Sequence, residues 1–565
     1  MKRGQTMRRK DRKMKLAIVC VPLVLLGMAA TAGVPANAFA FLSLCNVRAF
    51  GATGNGSALD TTAVNSAIET CAKAGGGTVY FAAGTYLCGS LHLRSGVTLW
   101  IDAGATIKAS PNNADFDPIE TLGFKNDADD ETSFFHHALI WGEDVERIAI
   151  VGQGTIDGNR TKRHGPKNIA LKRCKFVTIR DVRLLNCPNY NISMLGTDNV
   201  NIDGVTILNG YADGIDPDAC HNVRISNCHI ETTDDAIVPK ASFSLGERRG
   251  CENIAVENCF LASVCYCFKL GTESGGDFKW IAVTNCVMTG LAGRGPASGG
   301  IALESADGAN IDGVTVSNIT MYNVQSPIFL RLENRGRDMA VPTPGSLKNV
   351  IISSVAAQDA GLTCSVVGIP GHRIEGVTLS DIRVMFRGGT ALRPAGEAVP
   401  ENIDGYPDAD MFGALPAYGL YCRHVSGLTL SNVQLLAKPG FWRLQVTDVT
   451  NVDDRNLDWS TDPPGGSHPG PLGPALVCDD VSALTIDGLQ AGASDDGSPV
   501  IRLENVRGAV IRGSTAPEGT NTYLEAAGAE TRDVFLAAND LSRAKKAVSV
   551  AAGARKPVLK ANRVK

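Results

Sequence analysis

The chain has 565 residues, 44% hydrophobic and 20% charged, and its 26 prolines do not cluster, which excludes a disordered or collagen-like protein. Its formal net charge is −4, and it lacks the basic stripe that a nucleic-acid partner would require. Glycine is the outlier: 61 residues, about 11% against a usual figure near 7%, with only 6% aromatics, so the composition calls for many tight turns and a core of small and β-branched side chains.

The first element is a leader. Lys2 to Lys15 carry eight Lys/Arg and one Asp, Leu16 to Gly33 are apolar, and Ala36-Asn37-Ala38 supplies a small-residue cleavage site, so residues 1–38 read as a secretory signal peptide. The alternative is an uncleaved anchor, against which Pro22 and the barely sufficient apolar length argue. Removing eight cations and one anion takes the net charge from −4 to −11. The mature chain is then expected to be extracellular or periplasmic, with no membrane partner. Next comes an amphipathic helix over 60–74, with apolar Ala63, Val64, Ala67, Ile68 and Cys71, a cap candidate at Asp60 and a stop at Gly75 to Gly77.

Beyond it one pattern recurs almost to the end of the chain: apolar-x-apolar-x-x-apolar, often with Asn, Asp or Gly before its last member. Its first apolar residue falls at Val97, Ile148, Val177, Val200, Val223, Ile254, Ile281, Val314, Val350, Val377, Leu428, Leu484, Ala509 and Val534. The alternation has period two over short segments rich in Val, Ile and Thr, so these are strands. One short parallel strand per turn, repeated about every 23–36 residues, predicts an all-β, right-handed parallel β-helix, with the 60–74 helix as its N-terminal lid. Leucine-rich and propeller repeats lack their consensus here. A catalytic solenoid is expected over 39–440; residues 441–565 either continue it or form a small β module. Of sixteen Cys, fifteen follow the leader, and Cys228, Cys259 and Cys286 share a repeat slot with Val182, Val205 and Ile319, so they read as buried small hydrophobes. A Cys45 to Cys71 pairing stays open, and so does any other.

The densest acidic cluster spans two consecutive turns: Asp213, Asp216 and Asp218, then Asp234 and Asp235. Asp213 and Asp235 are 22 residues apart, close to the local period, and should stand one rung apart on the same face. Paired carboxylates suit glycoside cleavage, one protonating the leaving oxygen and one activating water, and crowding raises the proton affinity of at least one of them. Turn capping and Ca²⁺ binding are the competing readings of the same residues.

Residues 49–56 (AFGATGNG), 75–81 (GGGTVYF) and 83–86 (AGTY) look like the N-terminal part of pectin-lyase-like β-helix enzymes. Asp213-Gly214-Ile215-Asp216 and Asp234-Asp235-Ala236-Ile237 resemble the catalytic signatures of family 28 glycoside hydrolases, the polygalacturonase and rhamnogalacturonase family. The resemblance covers residues 46 to 440. It implies inverting hydrolysis of pectic polysaccharide without metal or cofactor, Asp234 as general acid, and Asp213 with Asp235 holding and activating water. There are departures. Tyr211 and Thr233 stand where the family usually has Asn and Gly, Tyr266 falls in a His place, and Ala302-Leu303-Glu304 falls where an Arg-Ile-Lys motif is expected.

Lys240 and Lys269 are the expected replacements for gripping an acidic sugar. Glu273 and Glu304 would suit hydroxyl-rich neutral sugars, Tyr266 lines the site, and Arg331 and Arg335 are further substrate-binding candidates. A rhamnose-containing backbone becomes as plausible a substrate as plain galacturonan. A lyase on the same scaffold and a non-catalytic glycan-binding solenoid remain the alternatives. The insertion 109–135, with five Asp and two Glu, and the segment 391–416 could each close an end of the groove, which would decide endo against exo action. A monomer is expected.

Overall fold

The computed structural model describes residues 44–388, 391–394, 397–438, 443–444, 471–551 and 553–565; the expected leader lies outside them. They form a right-handed parallel β-helix, and every pairing between its strands is parallel. The inward column is the repeat slot itself. Ile148, Val177, Val200, Val223, Ile254, Ile281, Val314, Val350, Val377 and Leu428 stand in register on successive rungs, and all are buried. Each buried Val or Ile contributes about 1.5–3 kcal/mol by leaving water, so the stack is held by many equal steps.

The Asn, Asp or Gly before the last apolar residue has a backbone cause. At that corner the chain turns through the left-handed region: φ is 57° at Asn227, 56° at Asn258, 54° at Asn285, 55° at Asn318 and 65° at Gly204. Only Gly, Asn and Asp enter that region cheaply. The fifteen described cysteines form no disulfide, Cys45 and Cys71 included. Cys228, Cys259 and Cys286 are buried in one column, as their repeat slot implies.

The helix forms over Thr61–Lys73, and Val64, Ala67, Ile68 and Cys71 are buried against the first strands. Asp60 occupies its N-cap position but makes no cap bond to it. Its carboxylate instead accepts from Thr53 N at 2.7 Å and Gly54 N at 3.0 Å, tying down the preceding loop. At the far end, Leu476–Asp487 pairs in register with Leu420–Ala437, and further rungs follow through Ile501–Glu504, Thr522–Ala527 and Lys546–Val550, so the described part of 441–565 continues the solenoid.

One five-stranded sheet matters most for function. It runs from Leu91–His92 through Ala138–Glu143, Lys167–Lys172 and Ile192–Leu195 to Ile215–Asp218. On its outer face Trp141, Ala170, Ser193 and Asp216 form one row. Lone bridges continue this sheet from Ile215 to Ile237 and from Ile237 to Phe268.

Candidate active site

Those bridges put Asp213, Asp235 and Tyr266 at one height on successive turns. The turns approach closely because residue 214 is glycine: a Cβ there would lie 2.3 Å from the Ala236 carbonyl oxygen. The Asp235 N–H donates to Asp213 Oδ1 at 3.1 Å and to Asp234 Oδ1 at 3.0 Å, so one backbone donor ties the two turns' carboxylates together. The Tyr266 N–H donates to Asp235 Oδ1 at 3.0 Å.

The three carboxylates differ in surroundings. The Asp213 side chain is 4% exposed and meets the Lys240 ammonium at 2.7 Å. Asp216 shares that ammonium at 2.8 Å, and burial, reinforced by the Asp213 charge, pushes its carboxyl well above the usual range. Asp235, with an 8% exposed side chain, is pushed up to about 7, by burial first and by Asp213 and Asp234 besides, against the pull of Lys269 at 3.4 Å. Asp234 is the most open, 21% exposed. Burial and the Asp213 charge raise its proton affinity although Arg163 Nη1 lies 2.5 Å from Oδ2 and favours the ionised form. The cluster thus sets Asp213 against the Lys240 ammonium beside carboxyls of raised proton affinity, and its titration belongs to the group as a whole.

Several expected sugar-binding residues are placed otherwise. Lys240 does not reach outward: it is 4% exposed, and its ammonium also donates to Tyr190 Oη at 2.9 Å, so its role is internal to the carboxylate cluster. Arg331 is fully buried and cannot meet a substrate. It donates to Glu333, to the Gly368 carbonyl, and to the carbonyls of Glu401 and Asn402 at 2.8 and 2.6 Å, so it anchors a loop. Glu273, 5% exposed, is occupied by Arg337 at 2.9 Å, and Arg335 by Asp307 at 2.6 Å. The Tyr266 hydroxyl donates to Asp408 at 2.7 Å and accepts from the Ala409 N–H at 2.8 Å, which turns the ring into a loop support.

Lys269 stays in the site. Its nearest oxygens, Asp235 Oδ2 at 3.4 Å and Glu304 Oε2 at 3.8 Å, are long for N–H···O bonds, and its ammonium faces the rings of Tyr266 and Tyr406 at 4.9 and 5.7 Å. Glu304 is fully buried and, like Arg331, cannot meet a substrate; neither of its oxygens has a hydrogen-bond partner among the described residues, and burial raises its carboxyl well above the usual range.

Other site residues carried no signal in the repeat. Arg163 arrives from the loop before Lys167–Lys172, pairs with Asp234 and is itself held by Glu131, so the 109–135 insertion reaches the carboxylate cluster. The same insertion crosses to the far side, where the Asp127 N–H donates to Asp338 Oδ1 at 2.8 Å. Tyr406 and Asp408 come from a second loop, 397–412, clamped by Arg331 and by Arg423, which donates to the carbonyls of Val399 and Pro400 at 2.8 and 2.7 Å. Two insertions therefore close over one patch of carboxylates. Asp234, Asp235 and Cys265 offer ligand atoms within 4.8 Å of one another, and burial, with the neighbouring Asp234 and Asp235 charges, pushes the Cys265 thiol far up.

The class is set by the chain's relatives, and it is that of the glycoside hydrolases. Residues 90–395, more than half of the chain, match Glycosyl hydrolases family 28, and the chain belongs to that family. A probable polygalacturonase of Vitis vinifera is 24% identical over 366 residues, covering 59% of this chain and 73% of that protein. A polygalacturonase of Ralstonia nicotianae is 27% identical over 337 residues, covering 48% of this chain and 61% of that one. An exopolygalacturonase structure from Thermotoga maritima superposes with a TM-score of 0.53 at 21% identity, over 61% of this chain and 87% of that one, which shows the shared fold.

Proposed function

We propose that the protein is a hydrolase of pectic polysaccharide that works by inversion and acts from chain ends. The observation that carries this reading is the unequal set of carboxylates on two adjacent rungs. Asp234, the most open and with raised proton affinity, is placed to protonate the leaving oxygen. Asp213 and Asp235, deeper and linked through the Asp235 N–H, hold and activate the attacking water. When Asp234 gives up its proton, Arg163 at 2.5 Å is ready to stabilise the carboxylate left behind.

The end-acting mode rests on the two loops. Insertion 109–135 reaches Asp338 and loop 397–412 packs over Tyr266, so a polymer would meet a pocket rather than an open groove. Lys269, whose ammonium lies 3.4 Å from Asp235 Oδ2, suits a sugar carrying an acceptor group. Secretion by the 1–38 leader belongs to the same reading.

The test is product analysis on homogalacturonan and on rhamnogalacturonan, following reducing ends and near-ultraviolet absorbance, with Asp234→Asn run beside the unmodified chain. Hydrolysis gives reducing ends without absorbance, short products from the start, and a loss of about 10²–10⁴-fold in the variant. A rise in absorbance would mean β-elimination and would sink the hydrolase reading.

A further inference from the structure

The Trp100 indole is 49% exposed on a sheet face that the catalytic cleft does not use. Its strand, Val97–Ile101, buries Val97, Leu99 and Ile101, so the core is already satisfied and Trp100 adds nothing to it. Along this face Tyr80, Trp100, Val151 and Arg180 occupy successive rungs in register. The intervening rung is low. Val151 is followed by Gly152, where a Cβ would lie 2.1 Å from the Ile101 carbonyl oxygen, so no side chain can rise there. Trp100 and Arg180, two rungs apart and hence about 10 Å from each other, stand as walls on either side.

The trough between them holds about 280 Å³. That is just below the roughly 300–1,000 Å³ of small-ligand sites and leaves room for about one sugar ring. Its polar lining is planar: the Asp102 carboxylate, which accepts from Tyr80 Oη at 2.8 Å, the Gln153 amide, and the Arg180 guanidinium, 3.2 Å from Asp181. An exposed aromatic face flanked by carboxylate, amide and guanidinium groups is the arrangement that stacks on a pyranose ring and hydrogen-bonds its hydroxyls.

Charge decides which sugar. Arg180 is balanced by Asp181, and Asp102 leaves the trough with a net negative charge, which repels a uronate. We infer that this trough is a non-catalytic glycan-binding site for neutral pyranose residues. It lies three rungs, about 14 Å along the axis, before the turn that ends in Asp213. A polymer held there stays within reach of the cleft, raising its local concentration without any contact to the reacting carboxylates.

Affinity electrophoresis of the full chain in gels containing galactan, xylan or glucomannan tests this, with polygalacturonate as the charged comparator. The unmodified chain and Asp234→Asn should be retarded by at least one neutral polymer. Trp100→Ala should weaken that retardation about tenfold, Arg180→Ala should weaken it too, and Trp100→Phe should keep most of it. All three trough variants should turn over a short soluble oligosaccharide at the unmodified rate, which also confirms that they fold. Undiminished retardation in Trp100→Ala, retardation lost only when the cleft is altered, or no retardation in any neutral gel would each overturn the proposal.

Discussion

All three protons of the Lys240 ammonium are committed, to Asp213, Asp216 and Tyr190, in a space almost without water. Removing one partner of such a buried cluster costs about 3–5 kcal/mol. Lys240→Met should therefore lower the unfolding temperature by several degrees. It should also move the acidic limb of the pH–rate profile: Lys240 pulls the Asp235 carboxyl down, so without it Asp235 takes its proton at higher pH and the limb shifts upward. A purely structural lysine would lower stability and leave the limb in place. Arg163 acts on the opposite limb. It favours ionised Asp234, so Arg163→Met should let Asp234 keep its proton to higher pH and carry the alkaline limb upward. Measuring kcat/KM against pH for both variants checks both signs. The aspartates were legible in the sequence because 22 residues is one turn, and periodicity then fixes their common face. The direction of Lys240 was not, since its outward position on the rung says nothing of the Tyr190 and Asp216 groups that enclose it.

Loop 397–412 behaves as one element because two buried arginines hold its carbonyls. Arg331 takes Glu401 and Asn402, Arg423 takes Val399 and Pro400, and the Asn334 N–H donates to the Ile403 carbonyl at 2.7 Å. Backbone carbonyls read by guanidinium groups place a loop without regard to its sequence, which is why neither arginine could be told from a substrate ligand before its partners were known. Arg423→Met should free the Tyr406 and Asp408 segment, raising KM about tenfold or more with a smaller change in kcat, and limited proteolysis should cut within 397–412. Protection of that segment equal to the unmodified chain's would count against the clamp. The same reasoning explains Arg163, Glu131 and Tyr406. Loops bring them from 71 to 172 residues away from Asp234, outside any repeat, so no spacing announced them, although the acidic content of the 109–135 insertion marked where to look.

At the scale of the molecule, the repeat was legible nearly rung by rung. A parallel stack needs the same inward slot on each turn, and the left-handed corner restricts one position to Gly, Asn or Asp. Stability in such a stack is a sum of nearest-neighbour steps. Ending the chain after residue 438 would bare the whole edge of Leu420–Ala437, which Leu476–Asp487 covers at nine register positions and Gln490–Ala491 at two more. The truncated chain should aggregate on concentration, as light scattering would show, even though every candidate active-site residue is retained. The cysteines carry a different consequence. Most of the described thiols are buried along this stack, in the slots that Val and Ile fill on other rungs. Burial raises the thiols of Cys174, Cys187, Cys251 and Cys267, so they favour the less reactive protonated form and serve as packing groups.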